Sequence, residues 1–96
     1  MSIIATVEFP LQLGKRDEFV DLLAVALKAT RSYDGNESVE TLVEYGGISV
    51  LLVEKWQTVY HHKAYHQWRL DTGLGELIGP FVSGPTIIRY FDPNSA

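Results

Sequence analysis

All three histidines of the chain lie in one short segment, YHHKAYHQW, at residues 60–68. His62 and His66 are four residues apart, a spacing at which two side chains of a helix can share a metal ion. Two ligands are too few for a stable metal site, and Arg69 beside them would repel a cation. We therefore expect no bound metal, and the chemistry that remains is that of imidazole, which exchanges a proton near neutral pH.

A helix through this segment would present two adjacent faces to its surroundings. The first face carries a small residue and two large aromatic ones: His61, Ala64, Tyr65 and Trp68. The second face carries the other polar groups: His62, His66 and Arg69. We expect the first face to meet the rest of the protein and His62 to point to solvent, with His66 between the two. The segment then forms either a packed aromatic face with surface histidines, or one wall of a pocket to which Trp56 contributes and which would suit a planar ligand.

Three residues elsewhere have both a structural and a chemical interpretation. Arg31 could hold an anionic substrate group, although a solvated arginine near a helix end is the commoner case. Asn36 could donate to a substrate carbonyl, although beside Gly35 it is also typical of a turn. Glu54, two residues before Trp56, could be a half-buried base or an exposed strand carboxylate in a structural pair, and the second interpretation is slightly favoured.

The hydrophobic pattern predicts the elements that would position these residues. Alternating apolar residues predict four strands, over 2–9, 38–45, 48–57 and 86–91. An apolar stripe at helical spacing predicts a first helix over 15–33, and Thr58 is a plausible N-cap for a second helix that ends near Asp71. The segment GLGELIGPF predicts a further short helix. The resulting order, β-α-β-β-α-β, is the ferredoxin-like α+β arrangement, in which two helices cover one face of an antiparallel four-stranded sheet.

Length and composition restrict the class of protein further. The 96 residues suffice for a single domain, residues 1–96. A net charge of -4 argues against a nucleic-acid partner, which would need a basic face to meet phosphates. The chain has no cysteine, and no apolar run approaches the ~20 residues of a membrane-spanning helix. We expect a soluble cytoplasmic domain with no membrane partner.

The third predicted strand is apolar on both of its faces. Four apolar residues would point one way: Ile48, Val50, Leu52 and Trp56. Leu51 and Val53 would point the other way, and a strand that is apolar on both sides is usually covered on both sides. The helices can cover one face, and a second copy of the chain is the simplest cover for the other. The sequence thus predicts a homodimer built through the open face of the sheet.

Four segments, spread over nearly the whole chain, resemble the antibiotic biosynthesis monooxygenase family of dimeric α+β barrels. They are GKRDEFVDLL (14–23), ATRSYDG (29–35), LLVEKWQT (51–58) and GPFVSGPTIIRYF (79–91). Their order and spacing are more specific for the fold than for the reaction, because the family also holds isomerases, haem-degrading enzymes and proteins with no known activity. One position departs from the family: its usual small-residue-then-histidine pair falls on Ala64 and Tyr65, and His66 comes one residue late.

The resemblance implies a cofactor-independent monooxygenase that uses molecular oxygen on a small phenolic or quinol-like aromatic. No flavin, haem or metal is expected, since a deprotonated, electron-rich aromatic can itself give an electron to O₂ if the protein supplies a base and a dry cavity. The candidate catalytic residues are His61, His66 and Tyr65. The candidates for substrate contact are Trp68, Trp56, Arg31 and Asn36. Two alternatives stay open: a non-catalytic dimer that binds a small hydrophobic ligand, and a cofactor-free isomerase on the same scaffold.

Overall fold

The chain folds in the order that its hydrophobic pattern predicts. The computed structural model describes residues 2–96, so Met1, the first residue of the predicted domain, lies outside the described residues. The elements are β1 (Ile3–Pro10), α1 (Arg16–Ser32), β2 (Asn36–Val43), β3 (Ser49–Trp56), α2 (Val59–Asp71), α3 (Leu74–Ile78) and β4 (Ile87–Phe91). The predicted β-α-β-β-α-β arrangement is confirmed, and α3 is the predicted short helix between α2 and β4. Within the described residues, no helix is both long and apolar enough to cross a membrane.

The four strands form one antiparallel sheet in the order β2-β3-β1-β4. The central strands, β1 and β3, lie opposite each other over their whole length, beginning with the pair Ile3 and Trp56. The edge strands are β2 and β4, and a register shift between Asn36 and Ser38 marks the start of β2. Because side chains alternate along a strand, every second residue of β1 and β3 points toward the helices.

Helix α1 closes a hydrophobic core against one half of the sheet. Its buried residues recur at intervals of three or four: Phe19, Leu23, Leu27 and Thr30. The Phe19 ring is fully buried and meets the Phe9 ring edge-on, with the ring centroids 5.0 Å apart. Burial of a side chain of this size contributes ~2–3 kcal/mol, so this half of the protein supplies ordinary hydrophobic stability.

Helix α2 closes the other half of the sheet with aromatic and polar side chains. The buried cluster there is Ala5, Trp56 and Tyr65, with Ile3, Tyr33, Trp68 and Tyr90 packed around it. Two ionisable side chains, those of Glu54 and His62, are buried in the same half. An aromatic region that also encloses ionisable groups is a better candidate for chemistry than the apolar core under α1.

The face of the sheet opposite the helices is not covered by the described chain. A shallow groove on this face is lined by Thr6, Glu8, Leu51, Ile87, Arg89 and Phe91. Ile87 and Phe91 are large apolar residues, yet they are 42% and 47% exposed. Leu51 and Val53 are half-buried, whereas alternate residues of β3 are fully buried against the helices. The prediction that β3 carries apolar side chains on both faces is confirmed.

Candidate active site

Helix α2 begins at an N-cap that determines how its side chains are turned. The Thr58 hydroxyl accepts the backbone N–H of His61 at 3.2 Å, which confirms the predicted cap. The same hydroxyl lies 2.7 Å from Nδ1 of His61, whose Nε2 is 3.8 Å from the exposed carboxylate of Asp34. These contacts hold His61 at the rim of the protein. The next residue, His62, lies about 100° further around the helix and points inward.

The prediction that His62 points to solvent is therefore wrong. The residue is 1% exposed, and Tyr65, three residues later, is 8% exposed. His61 and Trp68 are only partly buried, so His62 and Tyr65 form the centre of the inner face of α2. Helical spacing defines which side chains share a face, but it does not say which of two adjacent faces is buried. Here the cap at the start of α2 and the polar partners across from it favour the face that contains His62.

The imidazole of His62 belongs to a buried polar network with β3 and β4. Its Nδ1 is 2.7 Å from the Tyr90 hydroxyl, and its Nε2 is 3.7 Å from Oε1 of Glu54. The indole N–H of Trp56 donates to the same Glu54 oxygen at 2.9 Å. Glu54 is 2% exposed because it shares the inward face of β3 with Leu52 and Trp56. The sequence had suggested that this carboxyl is either half-buried or exposed. The structure instead buries it fully.

Burial shifts both ionisable partners in this network toward their neutral forms. Desolvation raises the pKa of Glu54 to about 7, although the Trp56 N–H and the positive charge of Arg69 act in the opposite direction. Desolvation, with a smaller contribution from His66, lowers the pKa of His62 to about 4. At neutral pH the imidazole is therefore uncharged, while the carboxyl is divided between its acid and carboxylate forms. The separation of 3.7 Å would suit an ion pair, but the cost of burying two charges disfavours it.

A second polar cluster joins α2 to α1. The hydroxyls of Tyr65 and Thr30 lie 2.5 Å apart, and Nε–H of Arg69 donates to the Tyr65 hydroxyl at 2.8 Å. Nη2 of Arg69 donates to the Ala26 carbonyl at 2.6 Å and to the Thr30 hydroxyl at 3.3 Å. Among residues 2–96, no carboxylate forms a salt bridge with Arg69. This half-buried guanidinium is therefore fixed in place with its charge available to an anionic ligand.

A small cavity of about 50 Å³ lies between the two polar clusters. Its polar lining consists of Glu54, His62, Tyr65, His66, Arg69 and Thr86, and its apolar lining of Val7, Phe9, Leu52 and Leu74. Burial lowers the pKa of His66, so its imidazole is neutral at pH 7 and can accept a proton. A largely apolar enclosure with a few convergent ionisable groups is typical of a small-molecule site.

The predicted site residues are only partly brought together. His66 and Tyr65 line the cavity, whereas His61 lies outside it at the start of α2. Trp56 does not line the cavity, but its indole N–H donates to Glu54, which does. Of the predicted pocket residues His61, Tyr65 and Trp68, only Tyr65 lines this cavity, because the cavity lies against the adjacent face of the helix.

The other predicted substrate contacts also lie away from the cavity. Trp68 packs on Tyr33, with ring centroids 5.4 Å apart, and the Arg69 guanidinium lies over its indole at 5.0 Å. Arg31 is exposed and donates to the Val39 carbonyl at 3.2 Å. Asn36 donates to the carbonyl of Ser38, which lies two residues further along β2, at 3.4 Å.

Three ionisable residues of the cavity were not predicted to belong to the site. They are Glu54, His62 and Arg69. The alternation of β3 contained the signal for Glu54, since its even-numbered neighbours on both sides, Leu52 and Trp56, were predicted to share one apolar face of the strand. Arg69 follows Tyr65 by four residues, so the two share a face of α2. No pattern in the sequence distinguishes the face of His62 from that of His61.

The two histidines at metal-binding spacing are stacked in the structure. The rings of His62 and His66 lie 6.0 Å apart and are inclined by 16°. Within residues 2–96, no three His, Cys, Asp or Glu side chains are grouped so that they could hold a metal ion. The expectation that the protein binds no metal stays a prediction.

Comparison with known proteins assigns the chain to a family. The family model for antibiotic biosynthesis monooxygenase matches residues 2–69, which include both polar clusters except Tyr90. The chain belongs to the antibiotic biosynthesis monooxygenase family, as its four segments predicted. Membership supports a general monooxygenase-like role. No curated protein matches the sequence.

Solved structures share the fold over nearly their whole length. A protein of unknown function from Nitrosomonas europaea is 17% identical, with a TM-score of 0.82 and coverage of 99% of this chain and 91% of that one. A conserved protein from Methanosarcina mazei is 14% identical, with a TM-score of 0.82 and coverage of 98% and 94%. A monooxygenase from Streptomyces coelicolor, solved with the ligand nanaomycin D, is 20% identical, with a TM-score of 0.77 and coverage of 99% and 89%. At these identities the likeness establishes the ferredoxin-like fold.

Proposed function

We propose that the protein is a monooxygenase that acts on a small phenolic or quinol-like aromatic without flavin, haem or metal. The observation that carries the proposal is the cavity under α2, where a neutral imidazole and a half-buried guanidinium meet a largely apolar enclosure. Membership of the family supports the class of reaction. The relative from Streptomyces coelicolor that was solved with nanaomycin D supports an aromatic substrate.

The first chemical step is removal of the phenolic proton. His66 is the proposed acceptor, because its imidazole lines the cavity and burial keeps it neutral. The phenolate oxygen would lie beside the guanidinium of Arg69, which lines the cavity and is held through Nε and Nη2 by Tyr65, Thr30 and the Ala26 carbonyl. In a site that excludes water, the electron-rich phenolate can give an electron to O₂.

The electron balance defines the kind of substrate further. With no other reductant, all the electrons that reduce O₂ must come from the aromatic compound. One oxygen atom becomes a carbonyl oxygen of the product and the other leaves as water, while the substrate loses two hydrogens, for a phenol one from its O–H group and one from the ring carbon that is oxidised. The substrate is therefore a phenol or quinol with an oxidisable C–H position that the phenolate activates, and two protons must be moved in each turnover.

The substrate needs more room than the cavity of about 50 Å³ provides. A second void of about 50 Å³ lies toward α1, and a surface cleft of about 350 Å³ lies toward α3. Arg69 and Leu74 line all three of these spaces, so they are the partitions between them. We propose that the substrate occupies the merged space once Leu74 moves away from Arg69, which its hydrogen bonds hold in place, since sites for small molecules usually measure ~300–1,000 Å³.

Oxygen uptake with a panel of quinols and polyphenols tests the proposed activity. His66→Ala should lower the rate about 10²–10⁴-fold, the usual effect of removing a general base. His61→Ala is the matched control, because that histidine lies on the same helix but outside the cavity. Absence of uptake with every compound would remove the main support for an oxygenase. Isomerisation without uptake, or binding without turnover, would favour the isomerase or the ligand-binding protein instead.

Purified protein should also lack a cofactor. It should have no visible absorption band and no stoichiometric metal by elemental analysis. A haem or flavin spectrum, or one metal ion per chain, would contradict this part of the proposal.

We further propose that two copies of the chain pair through the open face of the sheet. The exposed Ile87 and Phe91 beside Leu51 support this arrangement, because a second sheet would remove these apolar side chains from water. Sedimentation should then give a particle of twice 10.8 kDa. Leu51→Asp should dissociate it, since the pairing would bury an uncompensated charge, whereas Lys28→Asp on the exposed side of α1 should not. A folded monomer at micromolar concentration would refute the pairing.

A further inference from the structure

The proposed reaction moves two protons, and His66 accounts for one of them. We propose that Glu54 exchanges the second proton with the substrate, and that His62 is the positioning residue that holds Glu54 ready for this exchange. This inference rests on the proposed function for its catalytic consequence. Its structural basis is separate, because it concerns a buried carboxyl for which the fold has no evident structural need.

The carboxyl of Glu54 has one engaged oxygen and one free oxygen. Oε1 accepts the indole N–H of Trp56 at 2.9 Å, and among residues 2–96 no donor makes a hydrogen bond to Oε2. The described residues also contain no sealed side-chain oxygen or nitrogen that lacks a partner. Since Oε2 has no donor among these residues and is not sealed, and Glu54 lines the cavity, the cavity is the space that this oxygen can reach.

The surroundings of Glu54 allow it to gain and lose a proton within the cavity. From α2 it faces the neutral imidazoles of His62 and His66 and the positive charge of Arg69. From β4 it faces Tyr90, and its cross-strand neighbours on β1 and β2, Ala5 and Val39, are not ionisable. Burial favours the acid and Arg69 favours the carboxylate, so neither form is strongly excluded near pH 7. A group in this condition suits acid–base work at neutral pH.

His62 links the protonation state of Glu54 to Tyr90 through its two ring nitrogens. When Glu54 is a carboxylate, the imidazole proton is best placed on Nε2, which faces it at 3.7 Å, and Nδ1 accepts the Tyr90 hydroxyl at 2.7 Å. When Glu54 is protonated, its O–H can donate to Nε2, and the imidazole proton then lies on Nδ1. The neutral imidazole can thus serve either form of the carboxyl without acquiring a charge, provided the gap of 3.7 Å closes slightly.

Trp56 provides a direct probe of this titration, because its indole N–H binds the carboxyl. The chain has two tryptophans, so Trp68→Phe leaves Trp56 as the single emitter. Its fluorescence should show an inflection near pH 7, and the inflection should vanish in Trp68→Phe/Glu54→Gln but persist in Trp68→Phe/His66→Gln. Added phenol, excited outside its own absorption, should shift the inflection because it binds beside Oε2. A flat titration between pH 5 and pH 9 would overturn the proposal whether or not a substrate is known.

Turnover distinguishes this proposal from the proposed function. With an active compound, Glu54→Gln should lower kcat about 10²–10⁴-fold and remove the dependence of kcat on a group that titrates near pH 7. His62→Gln should shift that dependence along the pH axis rather than abolish it, as expected of a positioning residue. Normal turnover by Glu54→Gln would overturn the role of Glu54 and leave the monooxygenase proposal intact. If no compound is oxidised, the monooxygenase proposal fails, and the absence of a phenol-dependent shift would then also overturn the role of Glu54.

Discussion

Replacement of Glu54 by glutamine should make the protein more resistant to unfolding at pH 8 than the parent. Glutamine has almost the same shape and can still accept the N–H of Trp56, but it has no charge to bury. At pH 8 the parent must either bury a charged carboxylate or keep this carboxyl protonated at a pH above its pKa, and both cost free energy. The variant avoids both costs.

The magnitude follows from the pKa. The folded-state pKa of Glu54 is raised from 4.5 to about 7, so the unfolded chain releases this proton at lower pH than the folded chain does. The contribution of Glu54 to stability is therefore fully present below pH 4.5 and is lost as the pH rises to 7, by about 3 kcal/mol in all, since each pKa unit is worth about 1.4 kcal/mol. His62 acts in the opposite direction, because its lowered pKa of about 4 destabilises the folded state as the pH falls below 6.5. Both proteins contain His62, so the difference between them isolates the effect of Glu54.

Urea unfolding of both proteins at pH 4.5 and pH 8, at one protein concentration, measures this difference. The stability of Glu54→Gln minus that of the parent should become more favourable by about 3 kcal/mol between the two pH values. Asp21→Asn is the matched control, because Asp21 is an exposed carboxylate on α1, away from the open face of the sheet, and its difference should stay nearly constant. A difference for Glu54→Gln that is the same at both pH values would refute the conclusion that burial raises the pKa of this carboxyl.

Two further predictions concern contacts that hold the site in place. Thr30→Val removes the hydroxyl that bonds to Tyr65 and should lower the free energy of unfolding by ~1–2 kcal/mol, measured with heat or urea. Thr30→Ser keeps a hydroxyl and should cost less. Equal losses in the two variants would mean that the hydrogen bond contributes nothing to stability. Gly35→Ala should destabilise the protein by ~1–3 kcal/mol or more, because Gly35 has a φ of +88° and a Cβ would collide with the His61 ring. Gly14→Ala has a similar φ of +82° but open space around it, so a loss as large as that of Gly35→Ala would refute the role of the collision.

The fold was predictable from the sequence because its signals are local and repeated. Alternation along β3 and the apolar stripe of α1 recur over eight and seventeen residues, so one exceptional residue does not obscure them. The cap at Thr58 was also predictable, since a hydroxyl residue before a helical pattern has few other functions. Each of these predictions uses only neighbours along the chain.

The site was less predictable because it depends on contacts between elements. His61 and His62 are adjacent, and their burial is decided by partners on β3 and β4 that no helical pattern reveals. The inward direction of Glu54 follows from the period of the strand, but a carboxyl in a core position contradicts the usual preference of charged residues for water. What keeps it there is the indole N–H of Trp56, two residues along the same strand.

Helix α3 has a consequence for how quickly a ligand can enter. The helix has five residues, buries none of them fully, and follows Gly73, whose φ is +101°. A segment with so little buried surface can detach for a small part of the free energy of global unfolding, and its amide protons should exchange with solvent accordingly. Leu74, which lines the cavity, belongs to this helix, so a ligand would enter when the helix detaches. The observed rate of ligand association should therefore stop rising with ligand concentration once it equals the rate of that detachment. Hydrogen exchange at residues 74–78 and stopped-flow binding would then report one and the same motion, and dioxygen, being much smaller, would not be subject to it.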